Sequence, residues 1–484
     1  MAAPCKRRGD ALEDEKISHK KRATDDASDR KLDKFLEWCN RNDFKLSHKV
    51  RVGPEGSCAQ YGMVAVEDIA EGYCLFQVPR SCLLMPENSG IADTLLKESD
   101  QLSETNQWIP LLISLLHEQS NPSSAWRPYL DLVPDYDALD LPMFWESSDV
   151  DRYLGGTGVD LAVRRDLKMV RDDFDRLVEP FFKAHDTLRN DKVSFEFFKK
   201  MVAFVMAYSF TEPAHKDKDS VDNGGQSKDG EEDEEEEDSE EEEPRVMPPM
   251  MVPMADMLNH VTDNNAKLTF GKEALKMVTT RPVKQGEEIF NTYGQVSNLH
   301  LMHMYGFAES YPHNSNDVVE IPSTCMWEAV TQLGQGGEAE KFCQEKWKFL
   351  EEQEVVSDTE IFVLGQDGII TDDICVQALK VLCMSREEFA EHMEQEGWSE
   401  AESDSSLSGE SRLSLEKVAT LKDSWRELLK KTAQIHLAKY PTSLSEDTDK
   451  LTSELPPRQR YSLRTSHGQK QLLNKLIDVC EGKS

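Results

Sequence analysis

Two stretches decide how this chain is read: Pro253-Met254-Ala255-Asp256-Met257-Leu258-Asn259-His260 and Glu287-Glu288-Ile289-Phe290-Asn291-Thr292-Tyr293-Gly294. The first is an apolar run that ends on two adjacent polar side chains, Asn259 and His260. The second has the pattern of a short strand, Ile289 to Thr292, delivering a tyrosine into a glycine turn. A third piece, Gln60-Tyr61-Gly62-Met63-Val64-Ala65, lies nearly two hundred residues before the first. Each admits an ordinary explanation when taken alone. Tyr293 fits a core tyrosine satisfied by a hydrogen bond, and Asn259 fits a helix C-cap. His260 fits a zinc ligand alongside His300 and His303, which share one helix face. No Cys or third His falls at ligand spacing, so no metal is expected.

Composition narrows the classes. A chain of 484 residues suggests two or more domains with ample core. The net charge is −35, and residues 231–243 hold twelve acidic residues interrupted only by Ser239. Removing those twelve charges still leaves −23, which disfavours non-specific nucleic-acid binding and suits a basic, lysine-bearing partner. The ten cysteines include no C-x-x-C pair. This speaks against structural zinc and against a secreted disulfide framework, and for reduced thiols in cytosol or nucleus. No apolar run reaches membrane-spanning length, and no signal-peptide core is present near Met1. Lys6-Arg7-Arg8 and Lys20-Lys21-Arg22 have the spacing of a bipartite nuclear import signal, or are simply a solvated tail. Nucleus, with cytoplasm as a further compartment, is the expected location.

Residues 1–28 read as a disordered tail, and 29–39 as an amphipathic helix through Leu32, Phe35, Leu36 and Cys39. Met63–Val66 and Cys74–Val78 read as strands around a hairpin-like turn at Glu71-Gly72. Helices are expected over Trp108–Glu118, Leu167–Phe182 and Ser194–Phe210, the last from a capping serine. Residues 212–245 form an acidic linker too poor in apolar side chains to pack. Strands resume at Lys267–Phe270 and Lys276–Thr280. Beyond Phe307 the pattern is helical, most clearly at Glu340–Gln353, Ile374–Met384, Leu415–Ala438 and Gln459–Val479.

The two deciding stretches, in this order and with the Gln60–Ala65 piece before them, resemble the cofactor and catalytic motifs of SET-domain lysine methyltransferases. Strands flanking a helical insertion, followed by a helical region, are similar to the split-SET class with a Rubisco-methyltransferase-like C-terminal domain. Trp126-Arg127-Pro128-Tyr129, Gly156-Thr157-Gly158, Met206-Ala207-Tyr208-Ser209-Phe210 and His303-Met304-Tyr305-Gly306-Phe307 carry the same likeness. The resemblance implies an α+β fold: a SET-domain β-fold of short strands in a pseudoknot-like arrangement, with a helical insertion, plus an all-α C-terminal domain. In these terms the catalytic domain is 29–310, its helical insert about 87–210, its acidic loop 212–245, and the substrate-binding domain 315–484.

The resemblance also implies the chemistry. S-adenosyl-L-methionine is the expected methyl donor, and a protein lysine the acceptor. A free lysine has a pKa near ~10.4, so such a site must desolvate the amine and favour its neutral form. Tyr293 is the expected catalytic residue, its ring walling the channel and its hydroxyl orienting the amine. Asn259 and His260 are the expected nucleoside clamp, since an adenine edge needs a donor and an acceptor side by side. Ala59, Gln60, Tyr61 and Gly62 are expected at the cofactor too, although Gln60 stands where a first glycine is frequent. Tyr305 is expected near the cofactor, with Phe307 as a pocket wall. Trp126, Tyr208 and Asp256 are carried over as substrate-channel residues by position. Asn291 and Thr292 replace a carboxylate that is commoner in the family. The implied products are monomethylated non-histone nuclear proteins, the RelA subunit of NF-κB being the expected one, with histones also admitted. Two other functions are open: a histidine methyltransferase of the same fold, and a non-catalytic acidic adaptor for basic nuclear proteins.

Overall fold

The computed structural model describes residues 30–54, 56, 61–99, 102, 106–132, 140–185, 187–188, 192–213, 247–334, 336–357, 359–394 and 413–483. The expected N-terminal tail with its basic clusters, nearly all of the acidic linker, Ala59 and Gln60 lie outside these residues. The chain divides into two compact units that interleave along the sequence. One comprises Met1–Pro134, Asp173–Leu258 and Asn265–Ile289, the other Asp135–Asp172, Asn259–Asn264 and Phe290–Ser484. In this division Asp135–Asp172 and Asn259–Asn264 group with the chain from Phe290 onward.

The strands up to residue 291 are β1 (Lys45–Leu46), β2 (Val50–Gly53), β3 (Gly62–Ala65), β4 (Cys74–Pro79), β5 (Ser209–Thr211), β6 (Pro249–Met251), β7 (Asn259–His260), β8 (Ala266–Phe270), β9 (Ala274–Thr279) and β10 (Glu288–Asn291). In the first unit, one antiparallel sheet runs β1-β4-β9-β8. A second pairs β2 with β3, and β3 with the first half of β10. Leu75, Phe76, Val78, Leu275 and Met277 are almost fully buried in the first sheet, and Met63, Ala65 and Ile289 in the second. The expected hairpin at Glu71-Gly72 is corrected, because β3 and β4 belong to different sheets. Eight residues separate the two strands, too many for a two-residue hairpin loop. Each strand takes its partner from far along the chain, and Ile69 in the connection bridges Val283.

The helical insertion of this unit contains Ile109–Ser120 and Phe195–Tyr208. Leu111, Leu112, Leu115 and Leu116 are all buried. Ser194 caps the second helix by accepting a hydrogen bond from the Phe197 N–H at 3.3 Å, as its sequence position suggests. The helix expected over Leu167–Phe182 is instead three pieces: an α-helix Val159–Asp173, a π-helical turn Phe174–Val178 and a further helix Glu179–Ala184. Pro180 explains the interruption, since it has no N–H to donate and crowds the preceding turn.

The second unit is helical through most of its C-terminal part, with Ser323–Leu333, Glu338–Glu352, Asp372–Leu382, Asp423–Leu437 and Pro457–Cys480 as its main helices. It also contains a small antiparallel sheet that periodicity did not reveal: β11 (Val319–Pro322), β12 (Ile361–Leu364), β13 (Gly368–Ile369) and β14 (Leu413–Ser414). Helix and sheet share one apolar core that includes Val319, Met326, Phe362, Leu379, Leu428 and Leu473. Among the described residues no helix is long and apolar enough to cross a membrane.

Polar pairs inside this core fix how the last helix lies. Gln469 donates to the Thr157 carbonyl at 3.0 Å and accepts from the Tyr440 hydroxyl at 2.9 Å. The Gly156-Thr157-Gly158 motif is therefore an anchor for the final helix. Lys470 and Asp447, both with side chains shut off from solvent, form an ion pair at 2.5 Å. Thr442 accepts a further hydrogen bond from the Lys470 ammonium, and Ser466 donates to the Asp447 carboxylate. Asp447→Ala leaves the ammonium buried without its counter-charge and is expected to cost about 3–5 kcal/mol in denaturant unfolding, whereas the double change Asp447→Ala with Lys470→Met should recover most of that loss. Equal losses in the single and double variants would mean the pair does not hold this region together.

Candidate functional site

The second unit builds the best-defined polar and aromatic constellation. Its framework is a parallel pairing of β7 with the second half of β10, in which Asn259 lies opposite Phe290 and His260 opposite Asn291. The apolar run before β7 buries Met254, Ala255 and Leu258, so the two polar residues that follow are drawn inside. Asn259, His260 and Asn291 are each no more than 2% exposed. Asn259 is thus a strand residue, not a helix cap.

One hydrogen bond ties the two motifs. The Tyr293 backbone N–H donates to His260 Nδ1 at 3.0 Å. A backbone N–H can only donate, so Nδ1 accepts and the ring proton resides on Nε2. Burial holds the His260 pKa below its usual value, against a smaller opposing pull from Glu309, and the ring is neutral at physiological pH. Nε2–H is buried with no hydrogen-bond partner among the described residues. Both polar atoms of the Asn291 amide share that condition. Natural cores rarely leave such atoms unpaired, at about 1–3 kcal/mol each. These three atoms supply donors and an acceptor to an incoming polar ligand.

Aromatic rings surround the same point. Tyr293 stacks on His260 (centroids 5.0 Å apart, planes 27°) and on Tyr305 (4.6 Å, 30°). Phe307 meets Tyr293 edge-on at 6.4 Å and approaches Tyr305 and His260 at 6.3 Å. The turn beyond Tyr293 is shaped by Gly294, whose φ of +108° would strain any other residue, and by a hydrogen bond from the Gly294 N–H to Thr292 Oγ1 at 3.0 Å. Tyr305 ends a short helix, Asn298–Tyr305, begun by the Ser297 cap and stopped by Gly306 in the left-handed conformation. Burial pushes the Tyr305 hydroxyl up to about 12, so it remains a donor. His303, the partner suggested for His260 in a metal site, lies instead 2.8 Å from the Asp166 carboxylate. Among the described residues no group of three or more His, Cys, Asp or Glu is arranged to hold a metal ion.

The other sequence-predicted residues belong to the first unit. Tyr61 is buried and Gly62 opens β3, where an added Cβ would come within 2.8 Å of the Gly56 backbone. Asp256 is a buried carboxyl that accepts a hydrogen bond from the Tyr129 hydroxyl at 2.6 Å. Burial raises its pKa to about 7, against the lowering effect of the Tyr129 bond. Tyr208 titrates well above the ordinary range, through burial and then the charge of Asp256. Trp126 lies in the first unit as well. It is 6% exposed and packs against Trp38 at 5.8 Å in an aromatic core with Phe35 and Phe44. Sequence reasoning missed two participants. Asn291 was legible as an amide inside an apolar strand, whereas nothing local marks Tyr129 as the partner of Asp256.

Comparison with known proteins matches the SET domain over residues 60–294 and the Rubisco LSMT substrate-binding family over residues 337–473. The N-lysine methyltransferase setd6 of Xenopus laevis is 41% identical over 452 residues, covering 92% of this chain and 94% of that protein. The Homo sapiens N-lysine methyltransferase SETD6 is 37% identical with the same coverages. Among solved structures, the SET domain of LSMT bound to lysine and AdoHcy superposes with a TM-score of 0.62 at 17% identity, covering 94% of this chain and 92% of that one. Rubisco LSMT bound to AdoMet gives 0.60 at 18% identity over the same shares. At such identities the structures speak for the fold.

Asp256 generates a pH prediction. The folded protein keeps the Asp256 proton up to about 7, whereas an ordinary aspartate loses it near 3.8. Between those values the native state binds more protons than the unfolded state, so this group's contribution to stability falls as pH rises. Asp256→Asn abolishes the titration but keeps an oxygen for the Tyr129 hydroxyl. The melting temperature of the variant minus that of the parent should climb across this window and level off above about pH 7. A difference that stays flat would show that Asp256 ionises normally.

Proposed function

This chain belongs to the family of SET-domain N-lysine methyltransferases, and from that membership we propose a protein lysine as its substrate, S-adenosyl-L-methionine as its methyl donor and Tyr293 as the residue that orients the amine. The observation that carries the reading is the Tyr293-to-His260 hydrogen bond, with unpartnered polar atoms of His260 and Asn291 beside it. These atoms fit the nucleoside of the donor. His260 Nε2–H would donate to a ring nitrogen, and the Asn291 amide would both donate and accept. S-adenosyl-L-methionine, when bound, supplies an electrophilic methyl group carried on a sulfonium.

The remaining tasks fall to the chain's own residues. Tyr293, Tyr305 and Phe307 present ring faces and edges that exclude water and disfavour an ammonium ion relative to the free amine. A neutral His260 adds no positive charge of its own and keeps the clamp in one tautomer. The Tyr293 hydroxyl then positions the amine for in-line displacement, a gain in orientation rather than in basicity. Asn259 belongs to the same clamp through its place in β7.

For the finer identity of the substrate, the reading is a lysine in a basic or flexible segment of a non-histone nuclear protein, monomethylated, with histones as a second class. The net charge of −35 supports a basic partner, and the two N-terminal basic clusters support nuclear import. RelA, and with it a place in NF-κB signalling, rests on family resemblance alone. Mass spectrometry of nuclear extract incubated with the full chain and labelled donor tests this class. Methylated lysines in basic segments support it, whereas methylated histidines favour the histidine alternative.

Two substitutions separate the roles. Tyr293→Phe keeps the ring stacks and is expected to lower the single-turnover rate by about 10²–10³ while leaving donor affinity unchanged. Asn291→Ala should instead weaken donor binding roughly tenfold by calorimetry, the worth of one hydrogen bond to a buried amide. If Tyr293→Phe turns over within a few-fold of the parent, the tyrosine is only packing.

A further inference from the structure

Phe307 packs against four rings: His260, Tyr293 and Tyr305 of the pocket, and Tyr461 from the first turns of the last helix, Pro457–Cys480. The Phe307 and Tyr461 rings meet edge-on, with centroids 6.3 Å apart at 73°. The same helix reaches the next residue as well, for Arg464 Nη1 donates to the Ala308 carbonyl at 3.1 Å. Tyr461 is itself pinned. The guanidinium groups of Arg460 and Arg464 lie 5.0 and 5.6 Å from its ring centre. Its helix cannot slide, because Gln469 and Lys470 two turns further on are locked by the buried hydrogen bonds and ion pair described above.

We infer that Tyr461 is a positioning and specificity-determining residue: acting through Phe307, it sets how many methyl groups the aromatic pocket around Tyr293 admits on the acceptor nitrogen. The inference rests on the lysine-methyltransferase reading and adds to it a residue more than 160 positions away in sequence. The physical argument concerns volume. Phe307 is 9% exposed and packs against Tyr461 as well as against the three rings of the pocket, so its ring has little room to move while Tyr461 is in place. A methylated amine is larger by one apolar group, and a pocket whose wall cannot yield rejects it. Removing the backing ring opens space into which Phe307 can tilt, and the bulkier acceptor then fits. The Tyr461 hydroxyl contributes little, since the hydrogen bond it accepts from Arg460 is long, at 3.5 Å. The ring is therefore what matters.

The test uses the full-length protein and one peptide identified as methylated by the parent in nuclear extract, synthesised with an unmodified or a monomethylated lysine. The readout is the ratio of kcat/KM on the monomethylated peptide to that on the unmodified one. Tyr461→Ala should raise this ratio at least about tenfold, the lower end of what one methyl group is worth in an apolar pocket, while Tyr461→Phe leaves it at the parent value. Tyr461→Leu, which keeps most of the apolar volume, covers the event that the alanine variant does not fold, and should raise the ratio to a smaller extent. An independent readout needs no turnover. With ¹³C-labelled phenylalanine, the Phe307 ring signal, assigned through Phe307→Leu, should shift and sharpen in Tyr461→Ala or Tyr461→Leu but not in Tyr461→Phe. An unchanged ratio and an unmoved Phe307 signal in the truncated variants overturn the inference, as does a Phe variant that behaves like Ala. A parent that methylates no lysine overturns the lysine reading instead, and the ring signal still decides whether Tyr461 positions Phe307.

Discussion

The hydrogen bond from the Tyr293 backbone N–H to His260 Nδ1 is the constraint on which the rest of the constellation depends. It links two motifs more than thirty residues apart, and it can form because β7 and the end of β10 run parallel with His260 opposite Asn291. Its consequence is electrostatic as well as geometric. By occupying Nδ1 with a donor, it fixes the ring proton on Nε2, and burial then keeps the imidazole neutral. One backbone bond thereby sets the orientation of the tyrosine, the tautomer of the histidine and the direction of a free N–H donor.

The surroundings amplify this arrangement. Stacked rings on both faces of Tyr293 and the edge of Phe307 leave the tyrosine little rotational freedom. The same rings form a low-polarity wall, where a charged amine is penalised and a neutral one is not. Against that apolar background stand the unpaired atoms of His260 and Asn291. Leaving them unpaired lowers the stability of the free protein, and a ligand that satisfies them gains affinity from the same term. Strands and core hold the polar groups in place before any ligand arrives, so little ordering remains to be done on binding.

Much of this was legible in the sequence because the signals were local. The strand Ile289–Thr292 running into Tyr293-Gly294 appears as β10 followed by a left-handed glycine, and Ser194 caps the helix it precedes. What escaped is set by tertiary partners. Whether β3 turns back on β4 depends on β9 and β10, which lie some two hundred residues away. The strands of the C-terminal sheet are two to four residues long, too short for a period-2 pattern to stand out from the helices around them. Trp126 and Asp256 show the limits of reading side chains one at a time. The first is packed into aromatic core, and the second owes its raised pKa to burial, which outweighs the lowering effect of the Tyr129 hydrogen bond; the sequence displays neither.

The central claim is that His260 is a neutral, single-tautomer donor held by Tyr293. The most direct measurement is ¹⁵N NMR of the histidine side chains, with His260 assigned by substitution, recorded across neutral to mildly acidic pH and then with S-adenosyl-L-methionine added. The account predicts a neutral ring protonated at Nε2 at neutral pH, an imidazolium that forms only at lower pH than for an ordinary histidine, and an Nε2–H resonance that shifts when the donor binds. An imidazolium at neutral pH, a proton on Nδ1, or an Nε2–H signal indifferent to saturating donor would contradict it.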